Sequence, residues 1–183
     1  MMITAKNYEK KTPLPIAIGI TLFLFLGILT GIFGIENTKN YLHPYIFYFF
    51  IGGIGLATGI YMAIKIKPYV AVNKRLKSNY SFPIISICTG FIGIFLLIAS
   101  LTNKKISILK SYNHYTVVDK YRQEYHYRSP EINTLVVNID GKAQKLICSY
   151  NYWLTTEIGQ NISLGLYESK IGFDFIEVIG DKK

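Results

Sequence analysis

The chain carries few side chains of the kinds that perform catalysis or bind metals. Its three histidines and two cysteines form no spacing typical of a zinc site, a redox pair or a metalloprotease, and the sequence has no phosphate-binding loop or nucleophile elbow. His114 and His126 share the polar face of a predicted strand with Glu124, but a joint metal site would need a sharp bend between them. A solvated face is the simpler interpretation, so we expect no catalytic residue, no metal and no cofactor.

Both cysteines are predicted to be free, buried thiols. Cys88 falls inside a long apolar block, and Cys148 falls in the polar C-terminal part of the chain. A disulfide needs the two α-carbons within roughly 7 Å of each other, and residues of separate domains rarely meet that condition. The cysteines therefore leave the redox compartment open.

Aromatic residues are unusually dense in the C-terminal part. From Tyr115 to Arg128 tyrosines alternate with charged residues, which is typical of a half-buried strand, and this pattern predicts Tyr121, Tyr125 and Tyr127 in the core. The charged positions between them are predicted to form a solvated face.

Tyr152 and Trp153 are the candidate contacts for a partner, because they lie between two predicted strands. Trp153 is the only tryptophan in the chain. It either plugs the open end of a barrel or projects towards another protein. We favour the plug, because a small domain usually places its one tryptophan in the core.

Three apolar blocks without a charged residue occupy the N-terminal part, at residues 14–35, 45–64 and 82–101. Each exceeds the ~18 residues that distinguish a membrane-spanning helix from a buried one. The first is too long for an ordinary signal peptide and lacks an A-x-A cleavage site, so we expect a retained helix. Because the blocks contain no Asp, Glu, Lys, Arg or His, an ion pump or a transporter is disfavoured.

Small residues recur at four-residue spacing within the spans, and such pairs let helix backbones approach closely. The pairs are Gly27 and Gly31, Gly55 and Gly59, and Ser86 and Gly90. We expect them to pack helices of one chain together. An oligomer formed through the same faces is the alternative.

Basic residues flank the spans unequally. Residues 1–13 and 65–81 hold eight lysines and arginines, whereas residues 35–44, on the opposite side of the membrane, hold one. Because basic loops remain in the cytoplasm, we expect a cytoplasmic N-terminus and an extracytoplasmic C-terminal domain, in a bacterial inner or plasma membrane. The net charge of +9 then indicates lipid headgroups as a partner and makes nucleic acid an unexpected one.

The remaining residues, 106–183, alternate with a period of two and predict about five strands, with Asp140-Gly141 as a hairpin turn. The expected fold is an α+β membrane protein. A three-helix transmembrane bundle, residues 1–105, precedes a small antiparallel β-barrel of SH3-like or OB-like form, residues 106–183, which we expect to fold alone.

These features predict a non-enzymatic membrane protein whose β domain binds another envelope protein in an accessory or assembly role. A toxin-neutralising immunity protein is the alternative, since it needs only a membrane anchor and a complementary surface. A membrane-bound enzyme or small transporter is a third alternative, disfavoured by the missing site residues and intramembrane charges.

Overall fold

The computed structural model describes residues 14–70, 80–124, 126, 131–139 and 141–181, and these residues divide into two compact units. The first unit contains most of three long helices. The second contains a β-sheet together with residues 36–47 and the chain from Ser100 onwards.

The long helices are α1 (Leu14–Asn37), α2 (Pro44–Val70) and α3 (Ser81–Ile106), and all three are long and apolar enough to cross a membrane. They coincide with the three predicted blocks. Helix α2 includes Pro68 and continues to Val70. Pro68 has no N–H to donate to the carbonyl of Ile64, so the last turn of α2 lacks one main-chain hydrogen bond.

A curled, half-barrel sheet of five antiparallel strands forms the second unit, in the order β3-β2-β1-β4-β5. The strands are β1 (Ile108–Gln123), β2 (Ile132–Ile139), β3 (Lys142–Cys148), β4 (Asn161–Glu168) and β5 (Phe175–Val178), and a short helix, α4 (Tyr150–Thr155), separates β3 from β4. The predicted hairpin is confirmed: Ile139 pairs with Lys142, and Gly141 has a φ of +80° that suits glycine in a tight turn.

Strand β1 belongs to both halves of the sheet, since its first half pairs with β4 and its second half with β2. Its register shifts between Val117 and Asp119, and such a bulge reverses the alternation of the residues that follow. Lys120 therefore pairs with the fully buried Leu135, while Tyr121 is 41% exposed. The prediction of a core position is wrong for Tyr121; Tyr125 and Tyr127 lie outside the described residues.

The core of the second unit is a cluster of aliphatic side chains from all five strands, with Cys148 at its edge. Its buried members are Val117, Leu135, Val137, Leu146, Cys148, Ile162, Leu164, Ile176 and Val178. Tyr152, Trp153 and Leu42 pack against this cluster and are partly buried. The core therefore includes a side chain from the loop between α1 and α2.

That loop also links the two edge strands of the sheet through Asn40. The side-chain amide donates to the carbonyl oxygen of Ile147 at 3.0 Å and accepts from the main-chain N–H of Ile147 at 2.9 Å. The main-chain carbonyl of Asn40 accepts from the N–H of Ile176 at 3.0 Å. Asn40 thus satisfies main-chain groups of both β3 and β5.

A second polar cluster joins the same loop to the end of α3. The buried Asn103 donates from Nδ2 to the Tyr41 hydroxyl at 3.1 Å and to the Phe173 carbonyl at 2.8 Å, and its Oδ1 accepts from the Ser169 hydroxyl. Both polar atoms of the amide are satisfied, so burying it costs little.

Candidate functional site

Helix α4 positions Tyr152 and Trp153, and it begins where Ser149 caps it. The Ser149 hydroxyl accepts from the N–H of Tyr152 at 3.4 Å, while the N–H of Ser149 donates to both carboxylate oxygens of Asp181, at 3.0 and 3.2 Å. Serine is a favoured residue at this position, because its side chain satisfies an otherwise unpaired helical N–H. Strand β3 ends at Cys148, and the helix that Ser149 caps starts at Tyr150.

Trp153 packs against the core, and a lysine covers its ring. The Nζ atom of Lys120 lies 4.6 Å from the ring centroid, a distance typical of a cation–π contact. The same Nζ donates to the carbonyl oxygens of Trp153 at 3.2 Å and Thr156 at 2.7 Å. Among the described residues, the buried Nε1 of Trp153 has no hydrogen-bond partner.

Tyr152 is partly buried beside Trp153, and burial raises the pKa of its hydroxyl. Both residues lie on the side of α4 that packs against the core of the sheet. Their role as partner contacts stays a prediction.

Lys120 and Arg122 both contact α4, because the bulge in β1 turns them towards it; Lys120 is half-buried, whereas Arg122 stays exposed, as predicted for a solvated face. The Cζ atom of Arg122 lies 4.5 Å from the ring centroid of Tyr150, and its Nε atom lies 3.3 Å from Oε1 of Glu131. Hydrogen bonds from Asn133 and from Arg122 lower the pKa of the Glu131 carboxyl. Arg128, the third basic residue of that stretch, lies outside the described residues.

Two apolar side chains lie on the exposed side of α4, beside the exposed polar residues Asn151 and Thr155. Tyr150 and Leu154 lie one helical turn apart and are 41% and 55% exposed. Ile158 follows the helix and is 59% exposed, and the N–H of the next residue, Gly159, donates at 2.8 Å to the carbonyl of Val117, which precedes the 49% exposed Val118. These four residues, Tyr150, Leu154, Ile158 and Val118, are called the α4 surface below.

This surface was not predicted from the sequence, although the four-residue spacing of Tyr150 and Leu154 is a signal for its helical part. Ile158 lies beyond the end of the helix, so its spacing carries no such signal.

The small residues of the first unit lie where helix backbones meet. A β-carbon added to Gly27 would lie 2.3 Å from the α-carbon of Gly90, and one added to Gly31 would lie 3.5 Å from that of Gly93. Added β-carbons would similarly meet α-carbons of α3 at Gly55, 2.8 Å from Ile92, and at Gly59, 2.7 Å from Cys88. Ser86 is buried, and its hydroxyl donates to the Phe82 carbonyl. The closeness at Gly27, Gly55 and Gly59 excludes a larger residue, whereas the 3.5 Å at Gly31 is an ordinary contact distance.

The titratable groups outside α4 form no catalytic arrangement within the part of the chain that the structure describes. No three His, Cys, Asp or Glu residues there are grouped to hold a metal ion. His114 Nδ1 lies 3.0 Å from the Ser163 hydroxyl on an exposed strand face, with Tyr112 beside it. Cys88 and Cys148 are free and buried, and burial with the nearby Asp181 carboxylate raises the pKa of the Cys148 thiol to about 12.

Comparison of the chain with protein-family models, with curated proteins and with solved structures finds no match.

Proposed function

We propose that this protein is a three-span membrane protein whose extracytoplasmic β domain binds another envelope protein through the α4 surface, in an accessory or assembly role. The observation that carries the proposal is the exposure of Tyr150 and Leu154 on a helix whose opposite side packs against the core. A tyrosine stacked with Trp153 and contacted by Arg122 combines the three residue types that are enriched at binding hot spots.

Membrane insertion is supported by the apolar side chains that the three long helices expose. Phe25, Leu29 and Phe33 on α1 are each more than half exposed, and Phe49 on α2 is 76% exposed. A water-soluble protein rarely leaves apolar surface of this extent uncovered, whereas hydrocarbon covers it without cost.

The contacts of residues 40–42 support the proposed topology. Asn40 precedes α2, and Ile147 follows α3, yet the two residues are hydrogen-bonded. They must lie on the same side of a membrane, so α2 and α3 both cross it or neither does. The basic residues at 1–13 and 65–81 then favour a cytoplasmic N-terminus and an extracytoplasmic β domain.

For the barrel, the order of the strands supports the OB-like alternative. A long first strand shared between two half-sheets, with a helix between the third and fourth strands, suits a five-stranded, partly open barrel. We propose that Asn40 and Asp181 complete the barrel between β3 and β5, since each hydrogen-bonds main-chain groups across that gap or at its end.

The alternatives differ in the partner that they require. An immunity protein would use the α4 surface against a toxin, and an accessory factor would use it against a resident envelope protein. A membrane-bound enzyme or a small transporter has no comparable support, because no exposed cluster of reactive side chains accompanies the α4 surface among the described residues.

Photocrosslinking in native membranes tests the proposal. A photoreactive phenylalanine analogue replaces Tyr150 in the full chain, and a matched variant carries it at Tyr121, which is equally exposed at 41% on another face. We expect a discrete adduct with one envelope protein from position 150 and none from position 121. Mass spectrometry of the adduct separates a resident partner from a toxin.

A second variant tests whether the adduct at position 150 depends on the α4 surface. Leu154→Asp places a charge at the centre of the α4 surface, and it should reduce the adduct at position 150 by roughly tenfold or more, the effect of losing one hot-spot contact. Equal adducts from positions 150 and 121, or an adduct that Leu154→Asp leaves unchanged, would contradict the proposal.

A further inference from the structure

A cavity of about 360 Å³ opens in the second unit between the loop after α1, the end of α3 and strand β5. Its volume lies in the range of small-molecule sites. The lining combines charged side chains of both signs with aromatic rings, which distinguishes it from the wholly apolar grooves along the long helices.

Two lysines contribute positive charge from the helix-end side of the cavity. Lys39 Nζ lies 3.0 Å from Oε1 of Glu36, and Lys104 Nζ lies 3.3 Å from Oδ1 of Asn37. Both contacts are exposed, and an ammonium group carries three donors.

Negative charge comes from β5 and from the residue that ends the described chain. Glu177 accepts a hydrogen bond from the hydroxyl of Tyr167, and this contact, together with burial as the larger cause, raises the pKa of that hydroxyl. Asp181 accepts from the main-chain N–H of Ser149. The cavity thus presents ammonium groups and carboxylates within one small volume.

The aromatic part of the lining is a stack of three rings. Phe175 lies between Tyr41 and Tyr167, with ring centroids 5.8 Å and 4.8 Å away. Tyr41 is 3% exposed and Phe175 8%, so the rings present only a small apolar area to the cavity. It suits methylene groups that connect two charged ends of a ligand.

The cavity also lies where candidate spans end. Glu36 and Asn37 are the last residues of α1, and Lys104 lies in the last turn of α3. Basic and aromatic residues at this level of a membrane protein meet lipid headgroups.

We propose that this cavity binds a zwitterionic aminophosphate headgroup of the phosphoethanolamine type. Lys39 and Lys104 contact the phosphate, Glu177 and Asp181 contact the ammonium group, and the aromatic stack covers the methylenes between them. The carboxylates would repel a simple anion, and the lysines would repel a simple cation. A ligand that carries both charges therefore fits best. The inference rests on the membrane insertion proposed above and is independent of the α4 surface.

The test is native mass spectrometry of the full chain, purified in detergent and supplied with equal amounts of phosphatidylethanolamine and phosphatidylglycerol of the same acyl chains. We expect the protein to retain phosphatidylethanolamine preferentially. Lys104→Gln and Glu177→Gln should each lower that retention by roughly tenfold, the loss typical of one charge-assisted hydrogen bond.

Matched controls use charged residues that do not line the cavity. Lys105→Gln changes the next residue of α3, and Glu168→Gln changes an exposed carboxylate that pairs with Lys110. Both variants should retain the lipid as the parent chain does. Equal retention of the two lipids by the parent chain, or equal losses in the controls and the cavity variants, would overturn the inference.

Soluble glycerophosphoethanolamine distinguishes the source of the headgroup. If it displaces the bound lipid, the headgroup alone is recognised and a soluble aminophosphate also binds; if it does not, the ligand is a bilayer lipid. A chain that alkaline carbonate extracts from membranes would instead contradict the membrane insertion. A chain that stays in the membrane and crosslinks at Tyr150, but does not select phosphatidylethanolamine, would contradict this inference alone.

Discussion

At the scale of single residues, Trp153 shows how one side chain can serve both a core and a surface. Its ring packs against the core cluster and also stacks with the exposed Tyr150, with centroids 6.4 Å apart. Lys120 covers the ring and also binds the carbonyls at the end of α4. Trp153 is thus positioned to hold the α4 surface in place, whether or not a partner touches it.

This position predicts that Trp153→Ala destabilises the protein strongly. Removing a large ring that packs against the core should lower the free energy of unfolding by about 3 kcal/mol, the lower end for a buried aromatic because the ring is partly exposed. Circular dichroism during thermal unfolding of the full chain in detergent measures the change without relying on the lost tryptophan emission.

The neighbouring Leu154 provides the control. It is 55% exposed, so Leu154→Ala should change the unfolding free energy by no more than about 0.5 kcal/mol. If Trp153→Ala proved as mild as Leu154→Ala and instead abolished the crosslink at position 150, Trp153 would be a contact residue and not a plug.

Single-residue roles were only partly predictable from the sequence. The choice between a plug and a contact for Trp153 depends on what covers its ring, and Lys120 reaches it only because β1 has a bulge. Alternation alone pointed Lys120 to solvent and Tyr121 to the core. One inserted residue in a strand exchanges the two faces, and no local signal in Val117-Val118-Asp119 reveals it.

At the scale of elements, the parts that form from local patterns were predicted well. An unbroken apolar stretch is sufficient to predict α1 and α3, and Gly141 is sufficient for the turn between β2 and β3. Strand β5 covers only Phe175–Val178, because Gly172 and its neighbours form a turn before it. The contribution of Asn40 to the sheet could not be predicted, since its partner Ile147 is 107 positions away.

Asn40 is expected to be the residue on which the junction between β3 and β5 depends most. Asn40→Leu keeps the side-chain volume but leaves the N–H and the carbonyl of Ile147 without their partner. We expect it to lower the free energy of unfolding by about 2 kcal/mol, within the range for an unsatisfied buried polar group. Hydrogen–deuterium exchange should accelerate in peptides that contain Ile147 and Ile176.

Asn113→Leu is the matched control, because Asn113 is an exposed asparagine on β1. It should leave both the unfolding free energy and the exchange at Ile147 nearly unchanged. Unaltered exchange at Ile147 in Asn40→Leu would mean that the amide does not hold the strands together, and that the junction depends on other contacts.

At the scale of the whole molecule, the C-terminal domain includes the loop between α1 and α2. Residues 36–47 belong to the same compact unit as Ser100–Lys183, and they supply Leu42 to its core. Autonomous folding of residues 106–183 stays a prediction. That fragment would lack Asn40, Tyr41 and Asn103, so its edge strands and the polar cluster at the end of α3 would lose their partners.

The same loop constrains topology: if α2 and α3 cross a membrane as proposed, residues 36–47 and the β domain share one side of it, and the connection between α2 and α3 lies on the other. Basic residues at 1–13 and 65–81 then predict an outside C-terminus.

Alkaline phosphatase is active only outside the cytoplasm, so its fusion after Lys183 should be active, and a fluorescent protein exported there by the general secretion route should stay dark. Fusions after Lys77, between α2 and α3, should give the reverse pair of signals. Active phosphatase at Lys77 with inactive phosphatase at Lys183 would invert the orientation, would return nucleic acid to the possible partners of the β domain, and would exclude an extracytoplasmic protein as the partner of the α4 surface.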